Sequence, residues 1–339
     1  MRAVWITRHG GPEALEVRET PDPVPRVGEV RIRVRAAGVN FADLMARLGF
    51  YPDAPKPPCV VGYEVAGVVD AVGPGVTRPA PGARVFALVR FGGQADVVCT
   101  PAEAALDLPE GVGFEEAAAL PVNYLTAWLM LFRVASVRPA ERVLVHMAAG
   151  GVGIAALQLL RTVPGAVVFG TASASKHEAI RAEGCAHPID RRRHDYAAEI
   201  RAALGGEGLD VVLDPLGGPD WRKGYDLLRE GGRLVAYGFA NAANGERPSW
   251  GRAVAQAVRI PRFNPLKLLA DNRGVAGFHL GHLWSRPELV REAMAALIPL
   301  WREGKVRPRI DSTYPLEHAA AAHRRLHERK NVGKVLLVP

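Results

Sequence analysis

Cysteine is scarce in this chain and unclustered. Only three cysteines occur among 339 residues, and Cys59, Cys99 and Cys185 lie far apart. This odd number and wide spacing argue against a disulfide framework and against a clustered zinc motif. We expect these cysteines to be buried or idle thiols.

Long apolar runs are also missing. No stretch contains 18 uninterrupted apolar residues, and the first residues, MRAVWITRHG, lack the apolar block of a signal peptide. A composition of 48% hydrophobic and 23% charged residues nevertheless allows two domains with substantial cores. These features predict a soluble cytoplasmic protein.

Basic residues exceed acidic ones, which gives a formal net charge of +8. The arginines are spread along the chain, and the run Arg191–Arg193 has no interleaved aromatic residues of the kind that stack on nucleic-acid bases. We therefore expect no nucleic-acid partner. A solvated basic surface that attracts an anionic cofactor accounts for the charge.

The first third of the chain has the pattern of β-strands. In GEVRIRVRAAG, the apolar residues Val30, Ile32 and Val34 alternate with arginines, as in a strand with one buried face. The segments YEVAGVVDAVGPGV and GARVFALV repeat this pattern. Residues 1–122 are therefore predicted to form an all-β region, arranged as a partly closed barrel.

From residue 123 onward, helical and strand patterns alternate. Predicted strands at 142–146 and 166–169 are each followed by a helix, and HPID, LDVVLD, RLVAYGF and RGVAGFHL supply further strands. DWRKGYDLLRE reads as one of the intervening helices, and residues 288–303 read as an amphipathic helix. The fold class is α/β, with a doubly wound parallel sheet in residues 123–282.

A glycine-rich turn, AAGGVG, lies between a predicted strand and a predicted helix. This context is typical of a dinucleotide site, in which Gly150 and Gly151 let the backbone approach a pyrophosphate and Gly153 allows close packing of helix and strand. The N–H groups of the first helical turn, including that of Val152, face the negative charge. The alternative is an ordinary turn whose small residues serve packing alone.

The end of the next strand indicates which dinucleotide binds. Enzymes that prefer NAD place a carboxylate there for the ribose hydroxyls, whereas FGTASASK offers Ser173, Ser175 and Lys176 and no acid. Hydroxyl groups and an ammonium attract a 2′-phosphate instead. We therefore predict NADPH as the cofactor, with Arg191 closing over the phosphate. The serines could also serve only as helix caps.

Several long motifs in these regions resemble the medium-chain dehydrogenase/reductase superfamily, in its zinc-free quinone oxidoreductase branch and most closely its vesicle amine transport group. The motifs that carry the resemblance are NFADLMARLGFYP, LVHMAAGGVG, FGTASASKHEA, DPLGG, GFHLG and KNVGKVLLVP. The resemblance spans nearly the whole chain.

The resemblance implies a GroES-like β-barrel catalytic domain, formed by residues 1–122 with 283–339 returning to it, and a Rossmann domain for NADPH at 123–282. It also implies a cleft between the domains and a homodimer joined through the edge of the Rossmann sheet. Zinc-dependent relatives have Cys and His where this chain has Asn40 and Tyr63, and Asp43 and Glu64 do not complete a ligand set. We therefore expect no metal.

The resemblance also suggests catalytic residues. Asn40 and Asp43 would approach the nicotinamide ribose and the substrate, and Tyr51 would donate a hydrogen bond or a proton. Asn40 could instead stabilise its loop, and Tyr51 could anchor an apolar loop. Asp43 is expected to be a structural or ribose contact, because nothing in the sequence indicates an apolar pocket that raises its pKa.

Further cofactor contacts follow from the resemblance, but each has a structural alternative. Thr126 could bond its own helix backbone, Phe278 and Leu280 could belong to a dimer edge, and Lys334 could be a solvated residue on a closing strand. The predicted contacts outside the glycine turn and the phosphate site are Thr126, Gly238, Phe278, Leu280, Asn331 and Lys334.

Without a metal, hydride from NADPH must reach an electron-poor acceptor such as a quinone or an α,β-unsaturated carbonyl. A hydrogen-bond donor at the carbonyl oxygen is then the main chemical contribution of the protein. Two alternatives stay open. The first is an enoyl-thioester reductase. The second is a nucleotide-regulated lipid-binding or membrane-binding protein, for which residues 250–270 are the candidate segment, although they fit an active-site cover or a dimer interface better.

Overall fold

The computed structural model describes residues 1–243 and 245–339. They divide into two compact units. The first unit comprises Met1–Val122, Gly245–Pro248 and Pro308–Pro339, and the second comprises Asn123–Asn244 and Ser249–Arg307.

From residue 123 onward helices and strands alternate as predicted. Residues 1–122 are not all β as predicted, because helices at Phe41–Leu48 and Phe114–Ala118 accompany the eight strands of this region. The strands are β1 (Arg2–Ile6), β2 (Leu15–Glu19), β3 (Glu29–Val39), β4 (Cys59–Val60), β5 (Glu64–Val72), β6 (Arg84–Leu88), β7 (Val97–Pro101), β8 (Ala105–Asp107), β9 (Arg142–Val145), β10 (Val167–Thr171), β11 (His187–Ile189), β12 (Leu209–Asp214), β13 (Leu228–Ala236), β14 (Gly274–Gly277), β15 (Ile310–Pro315) and β16 (Lys334–Val338). The helices are α1 (Phe41–Leu48), α2 (Phe114–Ala118), α3 (Pro121–Trp128), α4 (Gly151–Leu160), α5 (His177–Ala182), α6 (Tyr196–Ala203), α7 (Pro219–Tyr225), α8 (Trp250–Val258), α9 (Pro265–Asp271), α10 (Pro287–Arg302) and α11 (Ala319–His327).

The first unit is built on two sheets. A seven-stranded sheet follows the order β15-β16-β3-β5-β6-β8, with β7 paired to β3, and a second sheet follows the order β2-β1-β4. The alternation predicted in β3 is present, since Val30 and Ile32 are 0% exposed and Val34 is 4% exposed. β16 pairs antiparallel with the end of β3, and this pairing brings the C-terminal segment to the start of α1.

The second unit contains a six-stranded parallel sheet in the order β11-β10-β9-β12-β13-β14. Numbered along the chain, this is the order 3-2-1-4-5-6 of a doubly wound fold, in which ligands bind beyond the carboxyl ends of the strands where the order reverses. β9 and β12 flank that reversal. The glycine-rich turn follows β9 directly, so the sheet topology places it at the ligand-binding edge.

One predicted helix is shorter in the structure. The segment DWRKGYDLLRE was predicted as a single helix, but α7 ends at Tyr225 and Leu228 already belongs to β13. Leu228 pairs with Leu209 of β12, and Gly231 adopts a φ of +79°, which a helix does not accommodate. Tertiary pairing with the buried strand β12 therefore overrides the helical pattern of this segment.

The return of the chain to the first unit begins later than predicted. Residues 283–307 belong to the second unit, whereas the resemblance placed them with the first. Gln158 on α4 explains this difference, because its amide accepts from the backbone N–H of Arg307 at 2.7 Å and donates to the carbonyl oxygen of Arg307 at 2.9 Å. The segment that follows α10 is therefore hydrogen-bonded to α4 through Gln158.

Within the described part of the chain, no helix combines the length and the apolar character needed to cross a bilayer.

Candidate functional site

A buried polar cluster lies where α1, β5 and β16 meet in the first unit. Lys334 is 3% exposed and Glu64 is 0% exposed. The Lys334 ammonium donates to Asn40 Oδ1 at 2.6 Å and forms a short contact with Glu64 Oε1. Asn40 Nδ2 donates to the same Glu64 oxygen at 2.9 Å, and the backbone N–H of Val122 donates to Glu64 Oε2 at 2.7 Å. Asn40 and Lys334 are thus brought together, although nearly the whole chain separates them in sequence.

Glu64 was considered in the sequence only as an insufficient metal ligand, yet it is the centre of this cluster. It accepts from a lysine, an asparagine and a backbone N–H. The sequence pattern does not indicate that Glu64 is buried. It is the first residue of β5, and a buried charge at the start of a strand has the same pattern as an exposed one. Lys334 is correspondingly not a solvated strand residue.

Asp43 corrects the expectation drawn from the sequence. Its side chain is completely buried at the third position of α1, where Oδ2 accepts from the Asn40 backbone N–H at 2.7 Å while Oδ1 has no partner among the described residues. Burial raises its pKa to about 7. Nothing in the sequence indicated a pocket that raises this pKa, but the burial of Asp43 provides one. Its carboxyl group can therefore hold or release a proton near neutral pH.

Tyr51 lies half-buried after α1, against the small apolar cluster that includes Ile6, Cys59 and Val61. Its ring makes an edge contact with Tyr63, with centroids 6.1 Å apart. Burial raises the pKa of the Tyr51 hydroxyl, so it stays protonated at neutral pH and can donate a hydrogen bond. The Tyr63 hydroxyl is buried and has no partner in the described chain.

The glycines of the turn after β9 have different surroundings. A Cβ on Gly153 would lie 2.5 Å from the carbonyl oxygen of Met147, and one on Gly151 would lie 2.2 Å from the side-chain nitrogen of Asn123. A Cβ on Gly150 would meet only the Met147 oxygen, at 3.2 Å. Gly153 is thus required by close backbone packing, whereas a side chain at Gly151 would displace the Asn123 amide. Gly150 has the least crowded position of the three, which leaves room for a ligand.

The helix that follows this turn can receive an anion. α4 begins at Gly151 with Gly150 as its N-cap. No side chain of the described residues caps its first N–H groups, which include that of Val152. Asn123 and Thr126 on α3 are buried, 5% and 7% exposed. Uncapped N–H groups at a helix start bind phosphate oxygens well, so the geometry fits a dinucleotide pyrophosphate.

The loop after β10 carries the predicted phosphate ligands. The hydroxyl oxygens of Ser173 and Ser175 lie 3.5 Å apart, and neither serine caps the following turn through its side chain. An acid does approach this loop from β11, because Asp190 Oδ2 accepts from the backbone N–H of Ala174 at 3.0 Å. Sequence reasoning missed this carboxylate, since it follows a different strand. Its oxygens are occupied by backbone N–H groups and Arg192, which lower its pKa.

Arg191 is turned toward α7 in this structure. Its guanidinium lies 3.6 Å from Asp220 Oδ2 and 3.5 Å from Asn241 Oδ1. Asn241 in turn donates to Asp220 at 2.8 Å. To contact a phosphate at Ser173, Arg191 would have to leave these two partners.

A layer of buried polar side chains beneath the glycine turn was not predicted. His146 directly follows β9, Thr171 and Asp214 are the last residues of β10 and β12, and each of the three is at most 2% exposed. His146 Nδ1 lies 3.0 Å from the Thr171 hydroxyl, which also accepts from the Met147 N–H. Burial lowers the pKa of His146 to about 3 and raises that of Asp214 to about 7. His146 is therefore neutral at neutral pH, whereas Asp214 is about half ionised. The contact between His146 and Thr171 links the ends of β9 and β10.

Comparison with known proteins accounts for both units. Residues 26–127 match the family described as alcohol dehydrogenase GroES-like domain, and residues 184–337 match the family described as zinc-binding dehydrogenase. The synaptic vesicle membrane protein VAT-1 homolog of Danio rerio is 49% identical over 337 residues, which are 99% of this chain and 69% of that protein.

The chain belongs to the medium-chain dehydrogenase/reductase superfamily. Within it, the chain is VAT-1-like, and the fold prediction is confirmed. The crystal structure of Escherichia coli quinone oxidoreductase complexed with NADPH is 30% identical, covers 100% of both chains and has a TM-score of 0.88. The CurK enoyl reductase is 30% identical over 99% of this chain and 98% of its own, with a TM-score of 0.84.

Unlike zinc-dependent medium-chain dehydrogenases, this chain has a poor setting for a metal at the equivalent positions. Asn40 and Tyr63 stand where the resemblance places Cys and His ligands, and the ammonium of Lys334 contacts both Asn40 and Glu64. A divalent cation beside that ammonium would be repelled, and Asn and Tyr are weak zinc ligands. The residues of this cluster therefore do not fit zinc.

The remaining predicted cofactor contacts lie at separate places in the chain. Gly238 follows β13, where a Cβ would lie 2.9 Å from the Pro215 carbonyl oxygen. Phe278 and Leu280 follow β14 and are half-buried, and the Phe278 N–H donates to Ala236 at 2.9 Å. Asn331 precedes β16 and donates to the Gly333 carbonyl at 2.8 Å.

Residues 250–270 form α8, α9 and the segment between them. An apolar stripe along α8 is exposed, because Trp250, Val254 and Val258 are 65%, 57% and 81% exposed. On α9, Leu266 and Leu269 are 76% and 78% exposed. This part of the second unit therefore presents apolar side chains to solvent. Exposed apolar patches of this kind often mark a surface that binds a partner or a membrane.

Proposed function

We propose that this VAT-1-like protein is a zinc-independent, NADPH-dependent oxidoreductase that reduces a quinone or an α,β-unsaturated carbonyl. The observation that carries the proposal is the ligand-binding edge of the second unit. There an uncapped helix start and an open Gly150 follow β9, and hydroxyl groups with a lysine, rather than a carboxylate, follow β10.

On this proposal, the first turn of α4 holds the pyrophosphate, and Ser173, Ser175 and Lys176 hold the 2′-phosphate. Thr126, Gly238, Phe278, Leu280, Asn331 and Lys334 remain proposed contacts or supports of the cofactor. When bound, NADPH supplies a hydride to the acceptor. Asp190 does not oppose the 2′-phosphate strongly, because backbone N–H groups and Arg192 already compensate its charge.

In the first unit, Tyr51 is the proposed hydrogen-bond donor to the acceptor oxygen. Asn40 has its amide oxygen and one amide hydrogen engaged by Lys334 and Glu64, so one amide hydrogen is left to donate. Asp43 is proposed to position Asn40, because its buried carboxyl group accepts from the Asn40 backbone N–H at 2.7 Å. The proton that the reduced acceptor needs then comes from Tyr51 or from water. A donor hydrogen bond to the developing oxyanion is typically worth about 3 kcal/mol, or a rate factor of roughly 100.

Oxidation of NADPH, followed by its near-ultraviolet absorbance, tests the proposal with ortho-quinones, para-quinones, enones and enoyl thioesters. We expect turnover with at least one quinone or enone and a loss of roughly 100-fold in kcat for Tyr51→Phe. Phe91→Leu, which removes another aromatic ring beside Tyr63 but no hydroxyl, is the matched control. No oxidation with any quinone or enone would refute the proposed reaction.

An enoyl-thioester reductase is the second enzymatic candidate, and similarity to the CurK enoyl reductase supports it. The same assay separates the two, because turnover confined to enoyl thioesters would favour this candidate.

Lipid or membrane binding is a candidate of another class, supported by the exposed stripe on α8 and α9. Flotation with liposomes tests it, with replacement of Trp250, Val254 and Val258 by Ser as the variant. Unchanged flotation after this replacement would exclude these residues as the binding surface. We also expect a homodimer, in which the outer strand β14 is the proposed contact.

A further inference from the structure

A buried arginine in the first unit has no role in the proposed reaction. Arg47, in the last turn of α1, is 0% exposed. One guanidinium nitrogen donates to the Gly10 carbonyl at 3.2 Å, whereas Nε and Nη2 have no partner among the described residues. Arg47 also forms no ion pair there. Buried charges are ordinarily paired or bound to an ion, because an isolated one is costly to remove from water.

Two histidines and an amide lie around this guanidinium, and none of them carries a negative charge. α1 packs against α11, which carries His323 and His327 one turn apart. Burial, and after it the charge of Arg47, lowers the pKa of both histidines. His323 Nε2 lies 3.2 Å from Gln94 Oε1, which leaves the Gln94 amide nitrogen without a partner in the described chain. Gln94 and His323 are both 0% exposed.

Two carboxylates influence Arg47 but are paired with other arginines. Burial lowers the pKa of Arg47, and Glu13 and Glu246 oppose this shift through their charge. Glu13 lies 3.7 Å from Arg247, and Glu246 lies 2.9 Å from Arg324. Both side chains are about half exposed to solvent, at 50% and 42%. They therefore do not neutralise the guanidinium at hydrogen-bond distance.

We propose that Arg47 binds a monovalent anion of halide size, chloride in ordinary solution, between α1 and α11. The N–H groups of Arg47 Nε and Nη2 are its donors. Water could satisfy these donors but would leave the charge uncompensated, whereas an anion does both. The complete burial of Arg47 restricts the occupant to a small ion.

Bromide is the probe for this site. Crystals of the full chain soaked in sodium bromide are expected to show an anomalous difference peak in contact with Arg47 Nε and Nη2. In solution, chloride is expected to stabilise the protein more than gluconate at equal ionic strength. The unfolding equilibrium constant should fall about tenfold for each tenfold rise in chloride above its Kd.

Arg47→Met should abolish this chloride dependence, and Arg35→Met, at an exposed position on β3, should retain it. If Arg47→Met does not fold, the bromide map of the wild-type protein decides the question. Ordered water with no anomalous peak, together with equal stability in chloride and gluconate, would overturn the proposal.

Discussion

Replacing Lys334 by Met removes the only cation that contacts Glu64 in the described part of the chain. Breaking a buried ion pair by removing one partner typically costs about 3–5 kcal/mol, because the other charge stays buried and unpaired. Glu64 would keep hydrogen bonds from the Asn40 amide and the Val122 N–H. We therefore expect a loss near the lower end of that range, about 3 kcal/mol.

Urea unfolding followed by circular dichroism at neutral pH measures this loss. The double variant Lys334→Met, Glu64→Gln should recover most of the stability, because neither charge then remains. Lys267→Met removes an exposed ion pair on α9 and should cost less than about 1 kcal/mol. If Lys334→Met costs no more than Lys267→Met, the cluster is not held by this charge pair.

Three further predictions concern the glycine turn, Asp43 and the phosphate site. Gly153→Ala forces a Cβ to within 2.6 Å of backbone atoms and should lower unfolding free energy by about 1–3 kcal/mol, whereas Gly251→Ala on α8, where a Cβ meets nothing within 4 Å, should not. Asp43 has a raised folded pKa, so its contribution to stability is present below about pH 4 and is lost as pH rises through 7. Asp43→Asn should therefore gain stability relative to wild type across that interval, by up to about 4 kcal/mol, and parallel pH profiles would contradict this. Lys176→Glu should weaken NADPH binding at least about tenfold more than NADH binding, with Arg193→Glu as control, and equal losses would remove Lys176 from the phosphate site.

Local patterns were sufficient for most of the fold. Alternation in β3 predicted its buried face, and the strand, glycine turn and helix around residue 150 predicted the ligand-binding edge of a parallel sheet. The pattern failed at β13, where Leu227 and Leu228 fit a helix as well as a strand, and only pairing with β12 decides between them.

The charged interior of the first unit could not be predicted from the sequence. Burial of Asp43, Glu64 and Lys334 depends on β16 pairing with β3, a contact between distant segments that no local window contains. The same holds for Asp190, which reaches the loop after β10 from another strand. Resemblance to a family brought Asn40 and Lys334 together, but it did not indicate that Glu64 joins them.

The central claim is that the second unit binds NADPH in preference to NADH. Isothermal titration of the purified wild-type protein with NADPH and with NADH measures this preference. We predict saturable NADPH binding at least about tenfold tighter than NADH binding, because Ser173, Ser175 and Lys176 favour a 2′-phosphate. No binding of NADPH, or tighter binding of NADH, would contradict the account.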